Sequence, residues 1–497
     1  MLKSKAIDIL RTLSIDEFAS FEKFTASPYF NTNNSIVRLV NELKTFHPDY
    51  DSEILSEEFL YKKVFGKDKY SYSVMRNLMS LMLQLCESFL LNNRLNKDLL
   101  KSPASILDLL DEFQNRNIDN LFSLRLRNAE KIISREKYDS MHYKNNVRII
   151  NFILDDEYNK VSFKNNLKDI FFRKAIFELC FIANSLYRNA NSINYISLEN
   201  NIKADESYFF IFLKCIDINK FLKETEKLRS SESAVIEIYF KLVLLILYPE
   251  NTNNYFEVKG SIFKNINKFS NREKYSLLNI LRNYVLFEYS RGVKILESEI
   301  RTINLEMLET IDFKKDKMES ILGIIFIGIF LEAASKNEYK FAQDFIDKYS
   351  LQLRREIRKD IHGFASSYIE FMKKNYERSL EILSHVKPPN KVYFIQIKHL
   401  YMKLYFELGH YDEGLSVIDS YRHYLDNKKD LNRDKRNYFV KICRSYLRLY
   451  RIRMSPEKYT DYDIVNFIRE LQSDNLNIDT KWMLSKADEL KKSYSNN

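Results

Sequence analysis

Apolar residues recur along most of this chain at intervals of three and four, the spacing that places them on one face of an α-helix. In residues 72–91 this face is continuous. Ser14 and Glu17 have the spacing of a capping box, which predicts another helix start near the N-terminus. Beyond Pro103, a residue type favoured at helix starts, the pattern predicts helices near 104–114, 117–137, 140–159, 166–189, 205–229, 232–247, 254–268 and 272–298.

Turn-forming residues are scarce in this chain. The 497 residues include 8 Gly and 7 Pro, too few for many strands joined by tight hairpins. Asn-rich stretches at 189–192 and 249–254 are predicted to connect helices, because Asn side chains bond to nearby backbone groups. The length exceeds the roughly 250–300 residues at which a single core stops growing. The sequence therefore predicts an all-α protein made of several domains or of stacked repeats.

One pattern recurs between residues 324 and 424. It consists of a tyrosine, a small residue three positions later and a large apolar residue four positions after that. Successive tyrosines are 37 and 35 residues apart (376 − 339 and 411 − 376). The three copies are Tyr339, Ala342 and Ile346; Tyr376, Ser379 and Leu383; and Tyr411, Gly414 and Ile418. A helix, a tight turn and a second helix that needs a small residue for close packing would produce this pattern.

This stretch resembles the tetratricopeptide repeat (TPR), a pair of antiparallel helices with a period of about 34 residues. Pro388 and Pro389 stand where the family often has its final proline, whereas the tryptophan of the first helix is absent. The resemblance implies a right-handed α-solenoid of antiparallel helix pairs. On this interpretation residues 301–497 contain the TPR-like repeats and C-terminal capping helices, residues 103–300 form diverged helix pairs, and residues 1–98 form a small N-terminal helical module.

In TPR arrays the first helix of each pair lines a groove that holds a segment of a partner protein. Aligned on the small residues, the resemblance places in this groove Ile327, Leu331, Phe364, Tyr368, Phe371, His399, Lys403 and Phe406. It implies an aromatic wall with one cationic position, suited to an extended peptide or an amphipathic helix. Of the paired Lys and Asn with which some family members hold a carboxylate, only Lys403 matches. The alternative for each ring is burial by neighbouring helices.

The chain is basic, with a net charge of +10 and a pI near 9.0. Residues 421–458 contain 12 Lys and Arg against 4 acidic residues, an excess of 12 − 4 = 8. At about 100° per residue, one face of a predicted helix at 437–453 carries a basic stripe of Lys441, Arg444, Arg448 and Arg451. The stripe is compatible with a solvated face, with an acidic partner protein, or with the phosphates of a nucleic acid. An AT-rich genome would also raise the lysine content.

Common motifs of catalysis and cofactor binding are missing from the sequence. It contains no glycine-rich phosphate loop, no Gly-x-Ser-x-Gly, no His-Glu-x-x-His and no Cys-x-x-Cys. The N-terminus does not have the pattern of a signal peptide, and the longest apolar run, 321–331, is about half of the ~20 residues of a membrane span. We therefore expect a cytoplasmic, non-enzymatic scaffold without cofactor, metal or membrane insertion, which binds a partner protein that is acidic where it meets the basic positions. Nucleic-acid binding through residues 421–458 is the alternative.

Overall fold

In the computed structural model of this chain, the structure describes all residues except 1–3, 67–68, 98–101, 159–166, 201–207, 226–231, 291–292, 297, 317, 388–390, 428–432, 474–477 and 496–497. The described residues form 24 α-helices and no β-strand. A single bridge between Tyr138 and Phe269 is the only β-type pairing among them. The all-α prediction is confirmed. Within the described part of the chain, no helix combines the length and apolar character needed to cross a bilayer.

The chain divides into two compact units and changes from one to the other at three points, one of which, 147/148, lies inside a helix, Ser140–Tyr158. The first unit contains Met1–Glu136 and Arg148–Lys164, and the second contains Lys137–Val147 and Asn165–Asn497. The predicted domain limits at 98–103 and 300–301 each fall inside one of these units and stay predictions.

The first unit is built from helices of 6 to 26 residues around an apolar core. They are α1 (Lys5–Leu10), α2 (Ile15–Ala26), α3 (Asn34–Lys44), α4 (Glu57–Phe65), α5 (Tyr72–Lys97), α6 (Pro103–Asn115), α7 (Asp119–Ile133) and the end of α8 (Ser140–Tyr158). The predicted capping box is confirmed, because the Ser14 hydroxyl accepts from the Glu17 N–H at 3.2 Å and the Glu17 carboxylate accepts from the Ser14 N–H at 3.1 Å. Residues between 6 and 89 share one buried cluster.

The second unit contains the start of α8 and all later helices. They are α9 (Leu167–Asn200), α10 (Tyr208–Lys214), α11 (Ile218–Thr225), α12 (Ser233–Leu247), α13 (Thr252–Asn265), α14 (Asn271–Ser290), α15 (Glu299–Thr310), α16 (Glu319–Ser335), α17 (Tyr339–Tyr349), α18 (Arg355–Met372), α19 (Tyr376–Ser384), α20 (Lys391–Leu408), α21 (Tyr411–Asn427), α22 (Arg433–Met454), α23 (Asp461–Ser473) and α24 (Ile478–Ser495). Short 3₁₀ segments occur at Ile266–Lys268, Lys294–Leu296, Ser350–Gln352 and Pro456–Lys458.

One of the two predicted Asn-rich connections is wrong. Residues 249–251 do separate α12 from α13, although 252–254 already belong to α13, whereas residues 189–192 lie inside the long helix α9. Ala190, in the middle of that stretch, is fully buried. Packing of this helix face therefore outweighs the turn preference of the flanking Asn residues. The helix predicted over 205–229 is also interrupted, since α10 ends at Lys214 and α11 begins at Ile218.

The hairpins α16–α17, α18–α19 and α20–α21 share one turn. In each, the residue two positions before the second helix has a positive φ: Asn337 at 56°, Lys374 at 65° and Gly409 at 76°. The N–H of the following residue then donates to the carbonyl five residues back, at 2.9–3.0 Å. This left-handed cap satisfies carbonyl groups at the end of the first helix. Each second helix begins at a tyrosine of the repeat pattern: Tyr339, Tyr376 and Tyr411.

The same turn occurs in the first unit, between α6 and α7. Asn117 has a φ of 55°, and the Ile118 N–H donates to the Phe113 carbonyl at 2.9 Å. The second helix begins at Asp119 rather than at a tyrosine. The turn geometry is therefore more widespread than the tyrosine pattern through which the sequence reveals it.

The small residues of the repeat pattern are buried, but they do not all contact the same kind of neighbour. Ser379 on α19 and Ser367 on α18 exchange hydrogen bonds, each hydroxyl donating to the other's carbonyl oxygen at 2.6 and 2.8 Å. This is the close packing within a hairpin that the pattern predicts. Gly414 instead faces α22, where a Cβ on this glycine would lie 2.3 Å from the Tyr450 ring. In the third hairpin, the side chain closest to the small residue therefore comes from α22 rather than from α20, the first helix of the hairpin.

All four cysteines are unpaired. Cys86, Cys180 and Cys443 are buried, whereas Cys215, just after α10, is exposed. Burial raises the pKa of the Cys86 thiol to about 12 and that of the Cys443 thiol to about 11.

Candidate partner-binding site

The six residues predicted for the main part of the groove lie on two helices of the second unit. Phe364, Tyr368 and Phe371 are on α18, and His399, Lys403 and Phe406 are on α20. The Lys403 ammonium donates to the Tyr368 hydroxyl at 3.3 Å, which joins the two sets. Phe371 is half-buried, and the other five are at most 7 % exposed. The structure thus brings these residues together but leaves little of their surface accessible.

Helix α24, near the C-terminus, covers this surface. Its Asp479 accepts from Lys403 at 2.7 Å and from the Nδ1 atom of His399 at 2.6 Å. One turn later, the Trp482 ring packs edge-on against Phe406 at a centroid distance of 5.4 Å. The positions expected to contact a partner therefore contact a helix of the same chain.

Opposite charges meet in this contact. Asp479 is buried and accepts a further hydrogen bond from the Tyr446 hydroxyl at 3.1 Å. Burial alone would raise the pKa of Asp479, but the adjacent His399 and Lys403 outweigh burial and hold this pKa well below its usual value. Burial likewise opposes the charge of Lys403, whose pKa is nevertheless raised by Asp479 and Tyr368 beside it. The ion pair is therefore charged on both sides although water is excluded from it.

A cleft of about 510 Å³ remains open beside α24. It is lined by Ala334, Asn337, Tyr339, Tyr368, Phe371, Met372, Lys374, Tyr376, Lys403, Glu407, Lys481, Trp482, Ser485, Lys486 and Glu489. Several of these residues belong to the shared turns of the first two hairpins or follow them directly. Its accessible rings include Tyr339, whose side chain is 42 % exposed. Of the six predicted groove residues, Tyr368, Phe371 and Lys403 line this cleft.

The sequence predicted only some of the residues that line this cleft. Tyr368, Phe371 and Lys403 were predicted groove residues, whereas Lys374, Lys481 and Trp482 were not. Lys481 and Trp482 belong to α24, more than 75 residues beyond Lys403 in sequence. A repeat alignment relates equivalent positions of successive hairpins, so it contains no information about a helix that folds back from outside the repeats.

The predicted basic stripe lies on α22, opposite a buried face that includes Tyr446 and Leu449. Lys441, Arg444 and Arg451 are exposed. Arg448 is engaged by α23, because it forms an ion pair with Glu470 at 2.8 Å and donates to the Asp463 carbonyl at 3.1 Å. The stripe therefore exists as a surface feature, but its third member already has an acidic partner.

A second buried polar network, which the sequence analysis did not predict, surrounds Glu273 at the start of α14. Glu273 accepts hydrogen bonds from Asn184, Tyr187 and Arg188 of α9, the first at 2.8 Å. Tyr187 also stacks on Tyr239, with ring centroids 4.9 Å apart and an interplanar angle of 6°. Burial raises the pKa of Glu273, and the Arg188 charge offsets this only in part.

The sequence contains a misleading signal for Glu273. Ser270 and Glu273 have the spacing of a capping box, and the Ser270 hydroxyl does accept from the Glu273 N–H at 3.3 Å. The carboxylate, however, bonds to α9 instead. Among the described residues, no three His, Cys, Asp or Glu side chains are grouped closely enough to hold a metal ion.

Comparisons of the sequence with protein-family models and with curated proteins, and of the structure with solved structures, found no match.

Proposed function

We propose that this chain is a non-enzymatic scaffold of the TPR-like helical-repeat type, which binds a segment of a partner protein beside α24. The observation that carries the proposal is that the predicted groove residues already hold an amphipathic helix. Asp479 and Trp482 of α24 present to α18 and α20 a carboxylate and an aromatic ring one turn apart. A surface that accommodates a helix in this way has the chemistry of a helix-in-groove or peptide-binding protein.

The proposed contact surface is the open cleft rather than the whole groove. Five of the six predicted residues are too deeply buried to meet a partner while α24 is in place. The cleft is lined by Tyr339, which is 42 % exposed at the start of α17, and by half-buried Phe371 near the end of α18. Rings of this kind provide most of the binding energy in many interfaces. The proposed setting is the cytoplasm, the reducing compartment in which four unpaired thiols persist.

Affinity purification with the full chain tests the proposal. A partner recovered with the wild type is expected to be lost, by about tenfold or more, with the double variant Tyr339→Ala and Phe371→Ala, because both rings line the cleft. Leu351→Ala is the matched control, since Leu351 is 66 % exposed and lies outside the cleft. Circular dichroism melting establishes that each variant is folded. Equal recovery with the double variant and the control would contradict the proposal.

Nucleic-acid binding is the second candidate, and the exposure of Arg444 and Arg451 favours it. Neither forms an ion pair with any residue that the structure describes, so both charges face solvent. If they contact phosphates, anisotropy titrations with labelled single-stranded and duplex oligonucleotides should show binding that weakens steeply with salt.

In those titrations, the double variant Arg444→Glu with Arg451→Glu should abolish binding. The control is Arg354→Glu with Arg355→Glu, which makes the same change in net charge at another exposed site and should leave binding in place. Absence of binding at low salt eliminates this candidate.

A further inference from the structure

The charges around the cleft are unevenly balanced. Of its four lysines, Lys403 is paired with Asp479 at 2.7 Å, and Lys486 is paired with two carboxylates, Glu407 and Glu489, both at 3.0 Å, which leaves one negative charge in excess at Lys486. Lys374 and Lys481 are exposed, and neither forms an ion pair within the described part of the chain. Four lysines against Asp479, Glu407 and Glu489 leave a net charge of 4 − 3 = +1, and the ammonium groups without an acidic partner are those of Lys374 and Lys481.

The two lysines come from different elements of the fold. Lys374 is the left-handed residue of the turn after α18, and Lys481 lies in the first turns of α24. Aromatic rings accompany them: Phe371 and Tyr376 have centroids 5.6 Å apart, and Trp482 follows Lys481 directly. A ligand in this cleft therefore meets two unneutralised ammonium groups and several ring surfaces.

The size of the cleft limits what it can hold. Its volume of about 510 Å³ is comparable to one turn of α-helix, a cylinder roughly 11 Å across and ~5.4 Å long. It is also within the ~300–1,000 Å³ range typical of ligand sites. The occupant is thus a short segment of a few residues rather than a complete helix.

Resting on the proposed function, we infer that the cleft binds a short internal segment of a partner that carries acidic residues around one aromatic side chain. The acidic groups pair with Lys374 and Lys481, and the aromatic ring contacts Tyr339, Phe371 or Tyr376. Charge complementarity selects this occupant, because an acidic segment can pair with Lys374 and Lys481, for which no described side chain of the chain supplies a carboxylate. Lys403, the cationic position that the repeat alignment identifies, does not take part, because Asp479 already neutralises it.

The chain provides its own reporter for a binding test. Trp482 is the only tryptophan of the 497 residues, and it lines the cleft. Its fluorescence can be titrated with a peptide of six glutamates around one phenylalanine, capped at both ends so that no terminal carboxylate is present. We expect a saturable change in Trp482 emission that weakens as salt is added. The same peptide with lysine for glutamate, and one with alanine for phenylalanine, should bind about tenfold or more weakly.

Charge reversal locates the binding site. Lys374→Glu with Lys481→Glu should weaken binding of the glutamate peptide by about tenfold or more, because two attractions become repulsions. Lys264→Glu with Lys492→Glu is the control, since both lysines are exposed, neither lines the cleft, and Lys492 is on α24 itself. Binding that is equal in the two double variants would place the peptide elsewhere and overturn the inference. Equal binding of the glutamate and lysine peptides, or no response to either, would overturn it as well.

The inference and the proposed function can fail separately. Suppose that recovery of a partner depends on Tyr339 and Phe371 but not on Lys374 and Lys481. The scaffold proposal would then stand, and the inference that the bound segment is acidic would be wrong. A single-stranded oligonucleotide is included in the titration. A stronger Trp482 response to it than to the glutamate peptide would assign the cleft to phosphates and overturn the inference.

Discussion

Two regions of the second unit each bury a carboxylate, and the electrostatic outcome is opposite in the two. In the hairpin region, α16–α24, Asp479 lies between His399 and Lys403, and its pKa falls. In the middle region, α9–α14, Glu273 faces a single cation, Arg188, together with neutral donors, and its pKa rises. Each acid accepts hydrogen bonds from several side chains. The two acids differ in their basic neighbours, two beside Asp479 and one beside Glu273, and we attribute the opposite pKa shifts to this difference.

The largest effect is expected from removing one side of the charged pair. Lys403→Met should lower the free energy of unfolding by ~3–5 kcal/mol, because it leaves Asp479 buried without its closest ammonium. Arg188→Met, the equivalent change in the middle region, should cost less, since Glu273 with its raised pKa can take up a proton instead. Urea unfolding monitored by circular dichroism measures both. If Arg188→Met is as damaging as Lys403→Met, the comparison is wrong.

A packing change in the hairpin region should have the next largest effect. Gly414→Ala should destabilise by ~1–3 kcal/mol, because the new Cβ would lie 2.3 Å from the Tyr450 ring. Gly328→Ala in α16 is the matched control. Its Cβ would meet its nearest neighbour at 3.7 Å, so it should be neutral or slightly stabilising. Melting temperatures of the two variants distinguish close packing from a general effect of alanine, and similar values would argue against the Tyr450 contact.

The two acids should respond to pH in opposite directions. The folded-state pKa of Glu273 lies above its ordinary value of 4.5, so wild-type stability should fall, relative to Glu273→Gln, as pH rises above about 4.5. The pKa of Asp479 lies below its ordinary value of 3.8, so wild-type stability should fall, relative to Asp479→Asn, as pH drops below about 3.8.

At neutral pH, Glu273→Gln itself should cost roughly 1–2 kcal/mol through its altered hydrogen bonds. Urea midpoints measured over a pH series give these differences. For each acid, the stability difference between wild type and variant is plotted against pH. Slopes of the same sign for Glu273 and Asp479 would refute the assignment of their charge states.

The smallest effect is expected at a shared turn. Lys374 has a φ of 65°, a conformation that glycine adopts without strain, so Lys374→Gly should stabilise the chain by ~0.5–1 kcal/mol. The adjacent Lys373→Gly should instead destabilise by a similar amount, because Lys373 has an ordinary φ of −75°. Chemical denaturation of both variants measures the difference, and a loss of stability in Lys374→Gly would show that its side chain matters more than its backbone.

The sequence predicted the hairpin region far better than the middle region, and the reason is physical. Each hairpin turn requires a left-handed residue followed by a helix start, and these local requirements recur as Tyr339, Tyr376 and Tyr411 at regular intervals. The turn at Asn117 has the same geometry, but Asp119 replaces the tyrosine, so the pattern does not reveal it.

In the middle region, the structure depends on contacts between distant residues. Glu273 bonds to residues of α9 that precede it by 85 to 89 positions, and nothing near Glu273 in sequence marks this. The candidate site shows the same limit. Tyr368 and Lys403 could be predicted from the repeat alignment, whereas Trp482 and Lys481 come from α24. A long-range contact of this kind depends on the whole fold, so periodicity within one segment does not encode it.

The pattern of free thiols makes this chain suitable for chemical labelling. Cys215 alone is exposed, so a thiol-reactive dye should modify the native protein at one position. Cys86 lies in the first unit, Cys180 in the middle region and Cys443 in the hairpin region, and all three are buried. Each becomes reactive only when its surroundings open. The order in which the three are labelled under mild denaturant, resolved by mass spectrometry of the digested chain, would therefore rank the local opening rates of three parts of the protein in a single experiment.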